Sequence, residues 1–168
     1  EVLIEAAKIL AEKRNDFTIS FYGGVTTKDE SYLEKTKKDS EHLQEKGLIK
    51  FFPSAPNFKT PEIYNNHQFF VNATGVGSID KTIFEAMASE MPVLASNKGL
   101  REIWPEDLRG KLLFAENNPA DLAEKTEKLL AMPESERQEI GKKLREIVVE
   151  KHSLSALADR LFSIFNKL

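Results

Sequence analysis

The sequence predicts an α/β fold, a doubly wound parallel sheet with helices on both faces, and three observations carry that expectation. Short apolar strands alternate with amphipathic helices along most of the chain. Such alternation builds parallel sheets, because each parallel pair needs a crossover helix and crossovers are right-handed. The run QFFVNA is apolar enough for burial on both faces, as parallel strands are. Glycines follow strands at Gly23-Gly24 and again at Gly75 and Gly77, on the carboxyl rim where such sheets take their ligands.

Leu3, Ala6, Ala7 and Leu10 recur at helical spacing opposite Glu5, Lys8 and Glu12, which predicts an amphipathic first helix. FTISFYG then reads as a strand running into Gly23-Gly24. A strongly charged helix from Asp29 to Lys46 follows, most simply a solvated face, and then the strand LIKFFPS. PSAPNFKTP is a proline-rich loop leading into a short helix at EIYNNH, ahead of QFFVNA. After the glycine loop come the helix DKTIFEAMASE, the strand PVLAS, a helical turn at LREIW and the short strand LLFA. Asn118-Pro119 is a cap followed by proline at the first helical position, Pro133 opens another helix, and Ser153 caps a last one. That last helix carries an apolar stripe of Leu154, Leu157, Ala158, Leu161 and Phe165.

Composition narrows the function classes. The chain has 168 residues, 40% hydrophobic and 30% charged, ordinary for a soluble globular domain with a real core. A net charge of -3 provides no basic field for a polyanion, so nucleic acid is not an expected partner. Without cysteine there are no disulfides, thiolate metal sites or cysteine nucleophiles. That fits a reducing compartment, and the expected location is cytoplasmic. No apolar run approaches the roughly 20 residues that span a bilayer, which leaves peripheral association at the inner membrane face open. The chain opens with helical periodicity already running and no cap before it, as a piece of a longer protein would.

TGVGSIDKTIFEAMA, from Thr74 to Ala88, carries the chemistry. Gly75 and Gly77 allow positive φ and close backbone approach, and the first helical turn presents unpaired N–H groups and the positive end of its dipole. An anion is stabilised there. Lys81 lies in that turn, where a cation is unfavourable by about 0.3–1 kcal/mol unless something negative is near. Ile83, Phe84, Met87 and Ala88 form the buried side, which leaves Glu85 opposite with Lys81 and Ser89. A carboxylate one turn beyond an anion site suits two vicinal hydroxyls, such as those of a ribose. The plainer reading is that Ser78 or Asp80 caps the helix and that Lys81 and Glu85 form an i,i+4 surface pair. An Asp80 cap would also occupy the N–H groups that a phosphate needs.

GVGSID also reads as a degenerate dinucleotide fingerprint with Asp80 in place of the third glycine. That reading needs an acidic residue about 20 positions on, whereas PVLASN ends in Ser96 and Asn97, so a nicotinamide or flavin site is disfavoured. His42, His67 and His152 lack metal-ligand spacing, and no Gly-x-Ser-x-Gly elbow surrounds Ser20, Ser78 or Ser96. Trp104 and Tyr64 read as packing residues, with Tyr64 or Phe69 also able to stack near a base. Gly23 and Gly24 make either a tight turn or a backbone approach to a base, and Thr26 is the least supported candidate beside them.

IFEAMASEMPVLASN resembles the signature of family 4 retaining glycosyltransferases, the group 1 transferases of the GT-B fold, which have two facing Rossmann-like domains. EVLIEAAKIL resembles that family's first helix, FTISFYGG its second strand and glycine turn, EIYNNHQFFVNA the approach to the donor site, and HSLSALADRLFSIF the closing helix. The whole chain, residues 1–168, thus resembles the C-terminal, donor-binding domain alone. The resemblance implies a nucleotide-diphosphate sugar as donor substrate, retention at the anomeric carbon, and no cofactor or obligatory metal. It assigns Glu85 to the donor ribose, and Gly77, Ser78, Ile79, Thr82, Gly23 and Gly24 to the donor's surroundings. The family's first glutamate, which contacts the sugar, falls at Gly77 here. Asp80 and Lys81 belong to a variant pattern, GS-x-DK before EAMA, in which Asp80 takes over a sugar hydroxyl and Lys81 contacts the diphosphate as the catalytic pair. The resemblance implies a strand before the first helix, followed by an Arg and a Lys that grip the diphosphate, and an acceptor-binding domain, all of which would stand ahead of Glu1. The fragment alone is therefore expected to be inactive, with its sheet either gapped at the missing central strand and filled there by another chain, or closed by direct pairing of the strands beside it. The other functional class left standing is a non-catalytic nucleotide-binding or interaction module of the same fold.

Overall fold

The computed structural model describes residues 1–24, 29–75 and 77–166. Thr26 lies outside them. In chain order the elements are α1 Val2–Ala11, β1 Ile19–Tyr22, α2 Glu30–Asp39, α3 Glu41–Glu45, β2 Ile49–Phe52, α4 Thr60–Asn65, β3 Phe70–Asn72, α5 Lys81–Ala88, β4 Val93–Ala95, α6 Glu106–Leu112, α7 Pro119–Ala131, α8 Glu134–His152 and α9 Leu154–Phe165. One short 3-10 turn precedes α4 at Asn57–Lys59 and another follows β4 at Lys98–Glu102.

All strand pairing is parallel, as the alternation of strand and helix requires. β1 pairs with β2 in the register Ile19 to Ile49, and β3 pairs with β4 in the register Phe70 to Val93. Among the described residues β1 and β3 do not pair, so the sheet is two halves with an open slot between them. Of the two arrangements expected for a missing central strand, the gap is the one found. Its cost is visible in β3, whose residues are only half buried, whereas β4 is buried throughout. A strand with one neighbour cannot be covered on every side, and QFFVNA falls short of the burial its composition predicts. LLFA forms only a bridge from Leu113 to Ala95, not a strand.

α1 packs against α7, and α5 packs between β3, β4 and α8. In α1 the buried face is Ile4, Ala6, Ala7 and Leu10, with Leu3 on its border. The charged helix predicted from Asp29 to Lys46 is broken at Ser40, whose hydroxyl, 1% exposed, donates to Thr36 O at 2.8 Å and to Lys37 O at 3.1 Å. Serine back-bonding of this kind competes with the helical ladder. The caps fall where the sequence puts them: Asn118 Oδ1 accepts from Asp121 N at 3.0 Å, and Ser153 Oγ accepts from Ala156 N at 3.1 Å. The α9 stripe remains uncovered, with Leu154, Leu157, Leu161 and Phe165 at 86%, 45%, 45% and 66% exposure.

The C-terminal end of α5 is tightly fixed. Glu90 N donates to Met87 O and Met91 N to Ala86 O, both at 3.1 Å, and Glu90 has φ of 58°. That is a Schellman close in which glutamate holds the left-handed position usually given to glycine. Gly141 of α8 lies directly on the Glu90 carbonyl, and the Arg145 guanidinium donates to Ala88 O.

Candidate functional site at the start of α5

β3 delivers the chain to the carboxyl rim at Asn72, and α5 carries it away from Lys81. Between them Gly77 has φ of +88°, a left-handed conformation that favours glycine, and a Cβ there would meet nothing within 4 Å. Gly75 serves differently. Its missing side chain is where Glu116 lies, so a Cβ would stand 2.6 Å from the Glu116 carboxyl oxygen. Lys98 Nζ holds the other oxygen of that carboxylate at 3.3 Å.

Asp80 occupies the N-cap position with extended backbone, φ −62° and ψ 136°, yet its side chain makes no cap hydrogen bond. Its carboxylate instead accepts from Asn72 Nδ2 at 2.8 Å. Asn72 Oδ1 accepts in turn from Thr74 N at 3.0 Å, which fixes the amide's orientation. Ser78 does not cap the helix; its carbonyl accepts from Asn97 Nδ2 at 3.4 Å. Asn97, 2% exposed, also accepts from Gly99 N at 2.9 Å, tying the end of β4 to the loop. Ile79 anchors the loop from below, its side chain packed over Gly99.

Lys81 Nζ stands 3.0 Å from Glu85 Oε1, the i,i+4 pair that the spacing allows. Lys81 is largely in water at 74% side-chain exposure, while Glu85 is drawn in at 28%. The second Glu85 oxygen faces Tyr64 Oη at 3.4 Å, and the same hydroxyl lies 3.5 Å from Thr82 O. Burial, reinforced by the Glu85 charge, pushes the Tyr64 phenol up to about 12. Tyr64 therefore stays protonated and donates toward the carboxylate.

A cavity of about 1060 Å³ fills the slot between the half-sheets and opens beside this junction. Glu85, Thr82, Tyr64, Thr74 and Gly23 all line it, so β1's glycine turn and the α5 carboxylate share one space. Gly24 sits behind Gly23, with a would-be Cβ 2.8 Å from Ser54 Oγ. Asp80, Lys81, Gly77, Ser78 and Ile79 stand at the junction outside this lining. The three histidines serve elsewhere: His67 Nδ1 lies 2.7 Å from Ile63 O, His152 stacks on Phe84 with centroids 4.7 Å apart, and exposed His42 stands 3.9 Å from Glu45. Among the described residues no group of three or more His, Cys, Asp or Glu is placed to hold a metal ion. Among the same residues no helix is long and apolar enough to cross a membrane.

Asn72, Asn97 and the Lys98–Glu116 pair escape sequence reasoning. Asn97-Lys98-Gly99 carries an Asx-turn signal that could have marked Asn97. Glu116 reaches Gly75 from some forty residues downstream and has no local signal.

Residues 1–132 match the family described as glycosyl transferases group 1. The chain belongs to that family. Across 169 aligned residues it is 25% identical to poly(ribitol-phosphate) α-N-acetylglucosaminyltransferase of Staphylococcus aureus, covering 99% of this chain and 32% of that protein. The chain thus spans about a third of the length of this relative. Two solved structures share the fold. One is the C-terminal domain of the group 1 family glycosyl transferase LpcC from Francisella tularensis, at TM-score 0.77 and 23% identity, covering 91% of this chain and 78% of that one. The other is Anabaena HepE in complex with UDP, at TM-score 0.84 and 16% identity, covering 99% of this chain and 44% of that one. As a group 1 glycosyl transferase domain with a parallel Rossmann-like sheet, the chain carries its glycine loop and α5 on the rim where such sheets meet ligands.

Proposed function

We propose that this domain holds the nucleotide-diphosphate sugar of a retaining hexosyltransferase, with UDP- or GDP-sugar as donor and a glycan or lipid-linked acceptor, in polysaccharide synthesis at the cytoplasmic side. The observation that carries the reading is the junction itself: an uncapped helix start, an open glycine at Gly77, an exposed Lys81, and a half-buried Glu85 that lines the adjoining cavity. Lys81 and the α5 amides take the diphosphate, Glu85 the ribose hydroxyls, Asp80 a sugar hydroxyl, and the Gly23-Gly24 turn approaches the base. Lys81 must leave Glu85 to reach a phosphate, and an exposed i,i+4 pair is worth only about 0.3–0.5 kcal/mol, so the exchange is inexpensive. Charge building on the leaving diphosphate would be met by the lysine and the helix start, which need no reorganisation as the bond breaks. The acceptor would be held by a further domain, and this domain alone would not turn over.

The test is calorimetry on the full-length protein with UDP, GDP, ADP and NAD, using Lys81→Ala and Glu85→Ala. Hydrogen bonds to charged groups are worth about 1.5–3 kcal/mol, so each variant should weaken the preferred diphosphate by about 10- to 100-fold. Preference for NAD, or wild-type affinity in both variants, sinks the reading. The empty space at Gly77, where the family's first glutamate would stand, favours a second reading, a non-catalytic nucleotide-binding module. That version binds diphosphates but neither transfers nor hydrolyses any sugar donor.

A further inference from the structure

Aspartate is among the strongest N-caps, and Asp80 already has the extended backbone a cap requires. Its carboxylate nevertheless turns away, because Asn72 offers a charge-assisted hydrogen bond at 2.8 Å. The direction of that bond is fixed by the Thr74 N–H on the other side of the Asn72 amide, at 3.0 Å. The Ile83 amide already donates to Asp80 O at 3.0 Å, so had Asp80 capped α5 its carboxylate would occupy the Thr82 amide and put a negative charge where a diphosphate is to sit. We propose that Asn72 is a positioning residue that holds the Asp80 carboxylate off the first turn of α5, keeping the Lys81 and Thr82 amides open to the donor's diphosphate. The inference rests on the donor-site reading above and adds to it the device that keeps the site vacant.

The experiment is a double-mutant cycle of Asn72→Ala and Asp80→Ala in the full-length protein, probed with UDP and with inorganic pyrophosphate. Asn72→Ala alone should weaken both probes about tenfold. In the Asp80→Ala background the same change should have no effect, since no carboxylate is left to fall back onto the helix. A role confined to bracing the loop would weaken binding equally in both backgrounds, and that result overturns the proposal. A ligand-free readout runs in parallel: in Asn72→Ala the Thr82 amide resonance should titrate with a carboxyl group, and in the wild type it should not. Amides that titrate alike in both proteins overturn the placement of Asp80. A wild type that binds neither probe overturns the diphosphate reading itself, an outcome distinct from equal weakening.

Discussion

Replacing Gly141 with alanine tests how α5 is held in place. A Cβ at Gly141 would lie 2.6 Å from the Glu90 carbonyl carbon and closer still to its oxygen. Carbon atoms pack at about 3.5–4.0 Å, so α8 and the end of α5 must part by about 1 Å. The obstacle is backbone, in a left-handed residue closed by two 3.1 Å hydrogen bonds, and cannot swing aside as a side chain would. Overpacking of this kind costs about 1–3 kcal/mol, against a gain of up to about 1 kcal/mol from alanine's helix propensity. The net expectation is a loss of about 1–2 kcal/mol, or about 2–8 °C in Tm for a domain of this size. Gly110, inside α6, is the control, because a Cβ there meets nothing within 4 Å. Gly110→Ala should stabilise by up to about 1 kcal/mol in the same urea and thermal melts. If Gly141→Ala stabilises as Gly110→Ala does, the close approach of α8 to α5 is wrong.

Tyr64→Phe should weaken binding of a ribonucleoside diphosphate about 3- to 10-fold by freeing the Glu85 carboxylate, while a 2′,3′-dideoxy analogue binds both proteins alike; equal loss for both ligands would refute the positioning role. Glu90→Gly should raise stability by about 0.5 kcal/mol, since a left-handed glutamate costs about 1–2 kcal/mol and its ion pair with Arg145, at 3.6 Å and half exposed, is weak; a lower urea midpoint would count against it. Burial beside Phe84, then the Arg160 and Lys151 charges, hold the His152 imidazole below its ordinary 6.5, so the unfolded chain takes the proton first as pH falls. Stability should be level above about pH 6.5 and decline below it, and His152→Phe should flatten that decline in urea midpoints measured from pH 7.5 to 5. A longer chain that supplies an extended apolar segment to the slot should slow hydrogen exchange at Ile19–Tyr22 and Phe70–Asn72 together, as both open edges gain a partner; unchanged exchange at either edge would show the slot is not a strand site.

What the sequence made legible was local. Lys81, Glu85 and the buried Ile83 and Met87 of α5 follow from steps of about 100° per residue, while Phe84 and Ala88 are only partly buried and Ala86 takes their place in the core; the Asn118 and Ser153 caps follow from residue type alone. The break at Ser40 was not legible, because serine's back-bonding to Thr36 depends on burial, which helix periodicity does not report. The exposure of the α9 stripe was not legible for the converse reason: periodicity gives the face of a helix and not what covers it. At the junction two glycines three positions or fewer from each other looked equivalent, yet one supplies left-handed backbone and the other makes room for Glu116. That difference comes from Glu116, some forty residues downstream, held by Lys98, and no spacing within TGVGSID encodes it.

The two ends of α5 explain why its start can stay open. An uncapped helix forgoes about 1 kcal/mol, and an eight-residue helix has little of its own stability to spare. The deficit is offset at the other end, where the Schellman close, the Arg145 guanidinium and the Gly141 contact fix Ala88 to Met91 against α8, and along the middle, where Ile83, Ala86 and Met87 are fully buried. The helix is thus anchored by tertiary packing, not by its own cap. Ile83 N donates to Asp80 O at 3.0 Å, so among the described residues the Lys81 and Thr82 amides are the first-turn donors left open, with Asp80 tied to Asn72 and the loop pinned by Asn97. Donors held in place before a ligand arrives cost nothing to order on binding, which is the condition under which backbone amides bind an anion well.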